Sequence, residues 1–248
     1  MNVIYTADRN YRHHLFASIV SFLNYHDSIE VKFYVINGDF ISSDFDKINK
    51  KIKNQNAQVI DFKINDQSLE KLKLSHHFKV YNYYRLFIPF LPIDFGLYLD
   101  ADTIINGNLE KLYKIDLKHH IIGAVNDPGY NDFSLLNLPL DPGCFNSGVM
   151  LCNIVSWRQN DVSNQVIEFV KTNPDKILYV DQCGLNYILK NKWLPLEAKF
   201  NFQLNVKHET SESPLIIHYN GHRKPWQVIY FNGYRLYYWF FRLKYLLK

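Results

Sequence analysis

The sequence predicts an α/β protein with a mainly parallel central sheet flanked by helices, and three observations carry that expectation. Short apolar runs alternate along the chain with segments of helical periodicity, which is how strand–helix–strand units read. The first such run is followed by a polar loop and then a helix, the order in which a nucleotide-binding unit begins. A central run, Leu97-Tyr98-Leu99, ends in Asp100-Ala101-Asp102, placing two carboxylates at the end of a strand. In open α/β sheets ligands bind at that edge.

Taken in order, Asn2 to Thr6 reads as the first strand and Ala7-Asp8-Arg9-Asn10-Tyr11 as the loop after it. Leu15, Ile19, Phe22 and Leu23 then share one face of a helix. No glycine-rich phosphate loop lies between them, so a pyrophosphate bound here would need a metal or basic side chains. Tyr11 could stack on a base and Asp8 accept from a base or ribose, against the plainer readings of surface tyrosine and helix cap. Val31 to Ile36 and Val59 to Phe62 read as two further strands. Between them, Ser43 to Asn54 reads as a helix carrying Phe45, Ile48 and Ile52 inward. Its Asp44-Phe45-Asp46 repeats the Asp-X-Asp spacing, but reads as a solvated first turn favoured by the helix dipole.

Val80, Tyr84, Phe87 and Ile88 give Lys79 to Leu91 helical spacing, ended by Pro89 and Pro92. Arg85 lies inside this apolar segment. A buried arginine needs an anion, and either a carboxylate such as Asp100 or Asp102 or a ligand phosphate would serve. The strand ending at Asp100 and Asp102 comes next. Two carboxylates pointing one way repel unless a cation lies between them, and hard oxygen ligands suit a magnesium- or manganese-type ion facing a phosphate.

Ile121 to Asn126 reads as another strand. A long loop, Asp127 to Gly143, follows, and such loops at sheet edges are often functional. Asn146-Ser147-Gly148 then leads into a strand from Val149 to Cys152. Gly148 would allow close approach to a ligand, or else mark a bulge or turn. Trp157 to Lys171 reads as a helix, and Asp181-Gln182 opens the next, where an aspartate is ordinarily a cap. Leu215 to Tyr219 reads as a late strand ending in His218. A lone histidine there is ordinarily a core residue. With Gly221 and Lys224 following, the run suits a third metal ligand and a phosphate-binding cation.

Composition narrows the function classes. The 248 residues, nearly half of them hydrophobic, are enough for a substantial core, and the net charge of +4 is too small by itself to argue for nucleic acid. Cys144, Cys152 and Cys183 show no metal spacing and cannot all pair within one chain, which fits a reducing compartment. We expect no signal peptide and no bilayer-spanning run. No domain boundary is expected before about Gly221. The division we expect is residues 1–226 as catalytic domain and 227–248 as a C-terminal tail.

An ordered set of motifs, YTAD, YYRLFIPFLP, LYLDADTIINGNL, FNSGVMLCN, DQCGLN and HYNGHRKPW, resembles glycosyltransferase family eight, whose members include lipooligosaccharide galactosyltransferases and glycogenin. The resemblance runs from Val3 to Trp226. It implies a GT-A fold and retaining transfer of glucose or galactose from a UDP-sugar, with Mn2+ or Mg2+ as cofactor. By position, Asp100, Asp102 and His218 match the metal ligands. Ala7, Asp8, Asn10 and Tyr11 match the uridine loop, and Gly221 and Lys224 the diphosphate contacts. Ala101, between the two aspartates, joins the nucleotide-sugar contacts. Arg85, Asp127, Asn146, Ser147, Gly148, Asp181 and Gln182 match the sugar-side pocket, with Gln182 beneath the anomeric carbon and Asp181 on sugar hydroxyls. Cys183 stands where the family often has a carboxylate, which bears on the shape of the sugar or acceptor pocket.

The expected acceptor is a glycan or lipid-linked glycan of the bacterial surface, reached from the cytoplasm. Arg223, Lys224, Arg235, Arg242, Lys244 and Lys248 punctuate a final stretch without Asp or Glu. Beyond Gly233, Leu236, Trp239, Phe240, Leu243 and Leu247 form one helical stripe, and Tyr234, Tyr238, Phe241 and Tyr245 another. Such a helix either packs on the domain or lies on the anionic inner face of the cytoplasmic membrane. Two rival readings are a UDP-sugar-binding module without turnover and a basic protein binding membrane or nucleic acid. We expect no nucleic-acid partner.

Overall fold

The expected alternation is present. β1 (Asn2–Thr6), α1 (Arg12–Leu23), β2 (Val31–Asn37), α2 (Ser42–Ile52) and β3 (Ala57–Lys63) are followed by a 3-10 segment, Val80–Phe90. Next come β4 (Phe95–Asp100), β5 (Thr103–Ile105), α3 (Glu110–Tyr113), β6 (Ile122–Asn126) and β7 (Phe145–Asn153). The remainder is α4 (Ile154–Gln159), α5 (Val162–Thr172), α6 (Val180–Leu189), β8 (Trp193–Leu196), β9 (Phe202–Gln203), β10 (Ile216–His218) and α7 (Arg235–Leu247). This computed structural model describes residues 1–53, 55–65, 69, 72, 80–130, 135–207, 212–228 and 232–247. Asn54, Lys79, Lys248 and part of the Asp127 to Gly143 loop, all in segments named above, lie outside the described residues.

The main sheet has the order β3-β2-β1-β4-β7-β6-β8. Its pairings are parallel except that β7 runs antiparallel to both β4 and β6. That reversal matters for function. The carboxyl ends of β1, β4 and β6 share one edge with the first residues of β7, so Ala7, Asp100, Asp127 and Asn146 converge. Between β1 and β4 the strand order also changes direction, leaving a crevice for a ligand.

Side chains alternate across the sheet as strand geometry requires. Val3, Tyr5, Leu97 and Leu99 enter the core that holds α1 and α7, whereas Ile4 and Tyr98 enter the core on the opposite face, with α5 and α6. A second, three-stranded sheet has the order β5-β10-β9, with His218 of β10 opposite Thr103 of β5. This small sheet carries His218 to the aspartate pair.

Four local expectations change. The segment from Val80 is a 3-10 rather than an α-helix, with Pro89 inside it. Its last carbonyls are taken by side chains: Ser163 Oγ donates to Leu86 O, and Arg158 donates to Pro89 O and Leu91 O. The single helix expected from Trp157 to Lys171 is two, α4 and α5, parted where Asp161 takes a left-handed φ of 47°. Asn160, beside it, folds its amide back onto Ser156 O. The strand expected from Val149 starts at Phe145, so Asn146, Ser147 and Gly148 lie within a paired strand. Asp44 is not solvated: it is buried, 2.8 Å from Arg9 Nε, and accepts from Ile41 N at the start of α2.

Helix α7 shows two apolar faces. Tyr238, Phe241 and Tyr245 are buried against α1, with the Tyr245 and Phe16 rings 5.4 Å apart. On the other side Leu236, Phe240, Leu243 and Leu247 are 74%, 59%, 51% and 87% exposed. Among the described residues no helix is long and apolar enough to cross a membrane.

Candidate active site

The converging strand ends line a cleft of about 660 Å³, a size that suits a small-molecule ligand. Of the site residues read from the sequence, only Asn10 is absent from its lining. Asn10 is exposed and turns its amide to Asp8 at 3.3 Å. Asp8 is a cap, accepting from Tyr11 N, and still lines the cleft. Tyr11 is not a free surface tyrosine. It packs edge-on against Trp226, with ring centres 5.7 Å apart, and lies near Tyr81.

Asp100, Asp102 and His218 each offer an oxygen or nitrogen within 4.8 Å of the others. His218 Nδ1 is 2.9 Å from Asn201 Oδ1, an acceptor that fixes the orientation of the ring. Nε2 faces the carboxylates, 3.7 Å from Asp100 and 3.4 Å from Asp102. Two carboxylates directed at one small space suit a cation between them, and an imidazole nitrogen beside them completes a set of three possible ligands. Gly148 makes the space: a Cβ there would fall 2.2 Å from His218 Cε1 and 2.7 Å from Asp100 Oδ2. The donor set therefore fits a divalent ion of the Mn2+ or Mg2+ kind. The glycine serves close approach rather than a turn.

Electrostatics divide the cleft. Burial would raise the Asp102 carboxyl, but Lys224 and His218 outweigh it and hold the group well below the usual carboxylate range. Lys224 Nζ donates to Asp102 and to Tyr219 O, and the loop reaches it through Gly221, at φ +82°. Asp100 accepts from Tyr98 Oη at 2.6 Å and pairs with Arg85 at 3.1 Å. The anion that Arg85 requires is therefore carboxylate: Asp100 on one side and Asp181, 2.8 Å away, on the other. Burial nevertheless pushes Asp181 up to about 7, against the pull of Arg85 and helped by the charge of Asp100.

Asp127, Asn146, Ser147, Gly148 and Gln182 form one network. Gln182 Oε1 accepts from Ser147 N at 3.0 Å, and its Nε2 donates to Asp127 Oδ2 at 3.0 Å. Asn146 donates to the same oxygen and accepts from Gly148 N and Asn201. Asp127 also accepts from Gly129 N. Cys183 does not line the cleft. It is fully buried, 3.2 Å from Tyr130 Oη and accepting from Tyr179 N, so the replacement acts from behind the wall.

Sequence reasoning missed Asn201, which joins His218 to Asn146, and Tyr98, which holds Asp100. It also missed the stack of Trp226 on His14, 3.6 Å apart and 15° from parallel. Nothing local marks Asn201, which stands in a short loop between Phe200 and β9.

A three-layer α/β domain with Asp100, Asp102 and His218 gathered beside a polar cleft, at the point where strand order reverses, has the GT-A architecture. The chain belongs to Glycosyl transferase family 8, whose profile matches residues 2–229. It is 32% identical to the glycosyltransferase GlyB of Streptococcus pneumoniae, aligned over 98% of this chain. The chain spans 61% of GlyB's length. It is 27% identical to the lipopolysaccharide 1,2-glucosyltransferase of Escherichia coli, over 91% of this chain and 72% of that one. The crystal structure of the galactosyltransferase LgtC, with donor and acceptor sugar analogues, has the same fold at TM-score 0.89 and 23% identity. That match covers 98% of this chain and 96% of LgtC.

Proposed function

We propose that the protein is a retaining hexosyltransferase. In this reading it moves glucose or galactose from a UDP-sugar to a glycan or lipid-linked glycan of the bacterial surface. The observation that carries this reading is the gathering of His218 Nε2, Asp100 and Asp102 within ligand distance of one another, a candidate cation site at the edge where a diphosphate would lie. A divalent ion bound there neutralises charge that develops on the departing diphosphate. The family's lipopolysaccharide glucosyltransferase supports the hexose and the acceptor class.

The residues have separable tasks. Tyr11, near Tyr81 and Trp226, offers an aromatic face to the base. Lys224 stands where the diphosphate would meet it, already beside Asp102. On the sugar side, Asp127 accepts three N–H bonds and Asp181 faces Arg85. Carboxylates engaged in this way are weak nucleophiles. Gln182, an amide fixed at both ends, is weaker still. That favours attack from the face the diphosphate leaves, with the departing phosphate taking the acceptor proton.

The outer stripe of α7 gives the membrane reading its physical basis. Leu236, Phe240, Leu243 and Leu247 face outward beside Lys244, with no acid on the helix. A single face of this kind suits an anionic lipid surface, and we place the enzyme there, on the cytoplasmic side. The test of the whole reading is a donor screen with Mn2+ that follows UDP release and sugar consumption together. Binding of UDP-sugars without either would leave only a binding module.

A further inference from the structure

The outer face of α7 looks to solvent, but its inner side holds the turn that carries Lys224 into the cleft. The turn Lys224-Pro225-Trp226-Gln227 closes on itself, with Gln227 N donating to Lys224 O and Lys224 N donating to Gln227 Oε1. Helix α7 anchors it further. Pro225 O accepts two side-chain donors from that helix, Trp239 Nε1 and Arg235 Nε, each at 3.1 Å. Arg235 Nη2 also donates to Gln227 O at 3.2 Å. Ahead of the helix, Tyr219 Oη donates to Tyr234 O at 2.6 Å. Both bonds to Pro225 O fix the Pro225–Trp226 peptide plane, one residue beyond Lys224.

We infer that Arg235 and Trp239 are positioning residues for Lys224. They hold the turn so that the ammonium points into the cleft. The inference rests on the reading above that the cleft takes a nucleoside diphosphate. Lysine is a flexible point charge, so its effect on a phosphate depends on how well its backbone is fixed. Tyr238 ties the same helix to the aromatic wall, its Oη 2.6 Å from His14 Nδ1, with His14 under Trp226. The C-terminal helix thus reaches both the phosphate and the base side of the cleft. Cutting it away would remove more than a surface anchor.

The test is a double-mutant cycle read by calorimetric titration of UDP with Mn2+. Trp239→Phe keeps the ring and loses the donor, and Arg235→Met keeps the stem and loses the guanidinium. Combined, they should weaken UDP binding about tenfold, which is about 1.4 kcal/mol. Introduced into Lys224→Met, the same pair should change UDP affinity by less than twofold, because the group it positions is gone. Melting temperature provides the control, since a packing loss lowers it equally in both backgrounds. Trp239→Phe alone, expected at two- to fourfold, serves if the combined variant folds poorly. An equal loss of affinity with and without Lys224 overturns the inference, as does a lower melting temperature with unchanged UDP binding. Failure of the unaltered protein to bind UDP overturns the nucleotide reading itself, and is recognised before any variant is made.

Discussion

Gly148→Ala is the substitution whose effect follows most directly from the geometry. The added methyl would sit 2.2 Å from His218 Cε1, 2.7 Å from Asp100 Oδ2 and 3.0 Å from Asn146 Oδ1. Carbon atoms in good contact lie about 3.5 Å apart, so the imidazole would have to move by roughly 1.3 Å. Metal ligands tolerate about 0.2 Å. Overpacking of a filled site costs about 1–3 kcal/mol. For a domain of this size, 2 kcal/mol lowers Tm by about 4–8 °C, and the variant stays folded at room temperature. The Mn2+-dependent tightening of UDP binding should fall at least tenfold. The assays are thermal melting and UDP titration with and without Mn2+. A Gly148→Ala protein with unchanged Mn2+ enhancement would refute the claim that these residues form the cation site.

Four further outcomes are expected. Asp102→Asn should lower turnover by roughly three orders of magnitude, about 4 kcal/mol of barrier, and excess chelator should abolish turnover in the unaltered enzyme. UDP should compete with donor far better than ADP or GDP, and Tyr11→Ala should raise KM more than it lowers kcat; equal inhibition by all three diphosphates would count against the base wall. Burial, aided by Arg242, lowers His14 to about 4, against about 6.5 unfolded. The unfolded chain therefore binds more protons between those values, and stability falls as pH drops from 6.5 towards 4. The Tm loss between pH 7.5 and 5.0 should be smaller in His14→Gln; equal losses would remove His14 from that account. Leu236→Gln/Phe240→Gln/Leu243→Gln should abolish sedimentation with anionic vesicles at low salt while leaving UDP affinity within twofold, and unchanged sedimentation would sink the membrane reading.

Much of the site was legible because its chemistry sits at strand ends. Asp100 and Asp102 follow an apolar run directly, and two carboxylates so close in sequence suggest a cation partner; the folded chain supplies Arg85 and Lys224 beside them. The periodicity of β1, α1 and β4 likewise placed the sheet. What stayed hidden depends on contacts between distant segments. Arg85 demanded an anion, but only the folded chain selects Asp100 and Asp181 over a phosphate or Asp102. Asp44 looked solvated because Arg9, its partner, lies on a different element. The strands β5 and β9 are two or three residues long, too short for a period to show. The tail's two stripes were visible, yet only packing shows that the tyrosine stripe is core and that the leucine stripe, Trp239 excepted, faces outward.

The central claim is transfer with retention, and the anomeric configuration of the product tests it most directly. The enzyme should be incubated with UDP-α-glucose or UDP-α-galactose, Mn2+ and a glycan acceptor, then quenched with chelator, and the purified product examined by proton NMR. The account predicts an α-linked hexose, formed in step with UDP release. A β-linked product would contradict it.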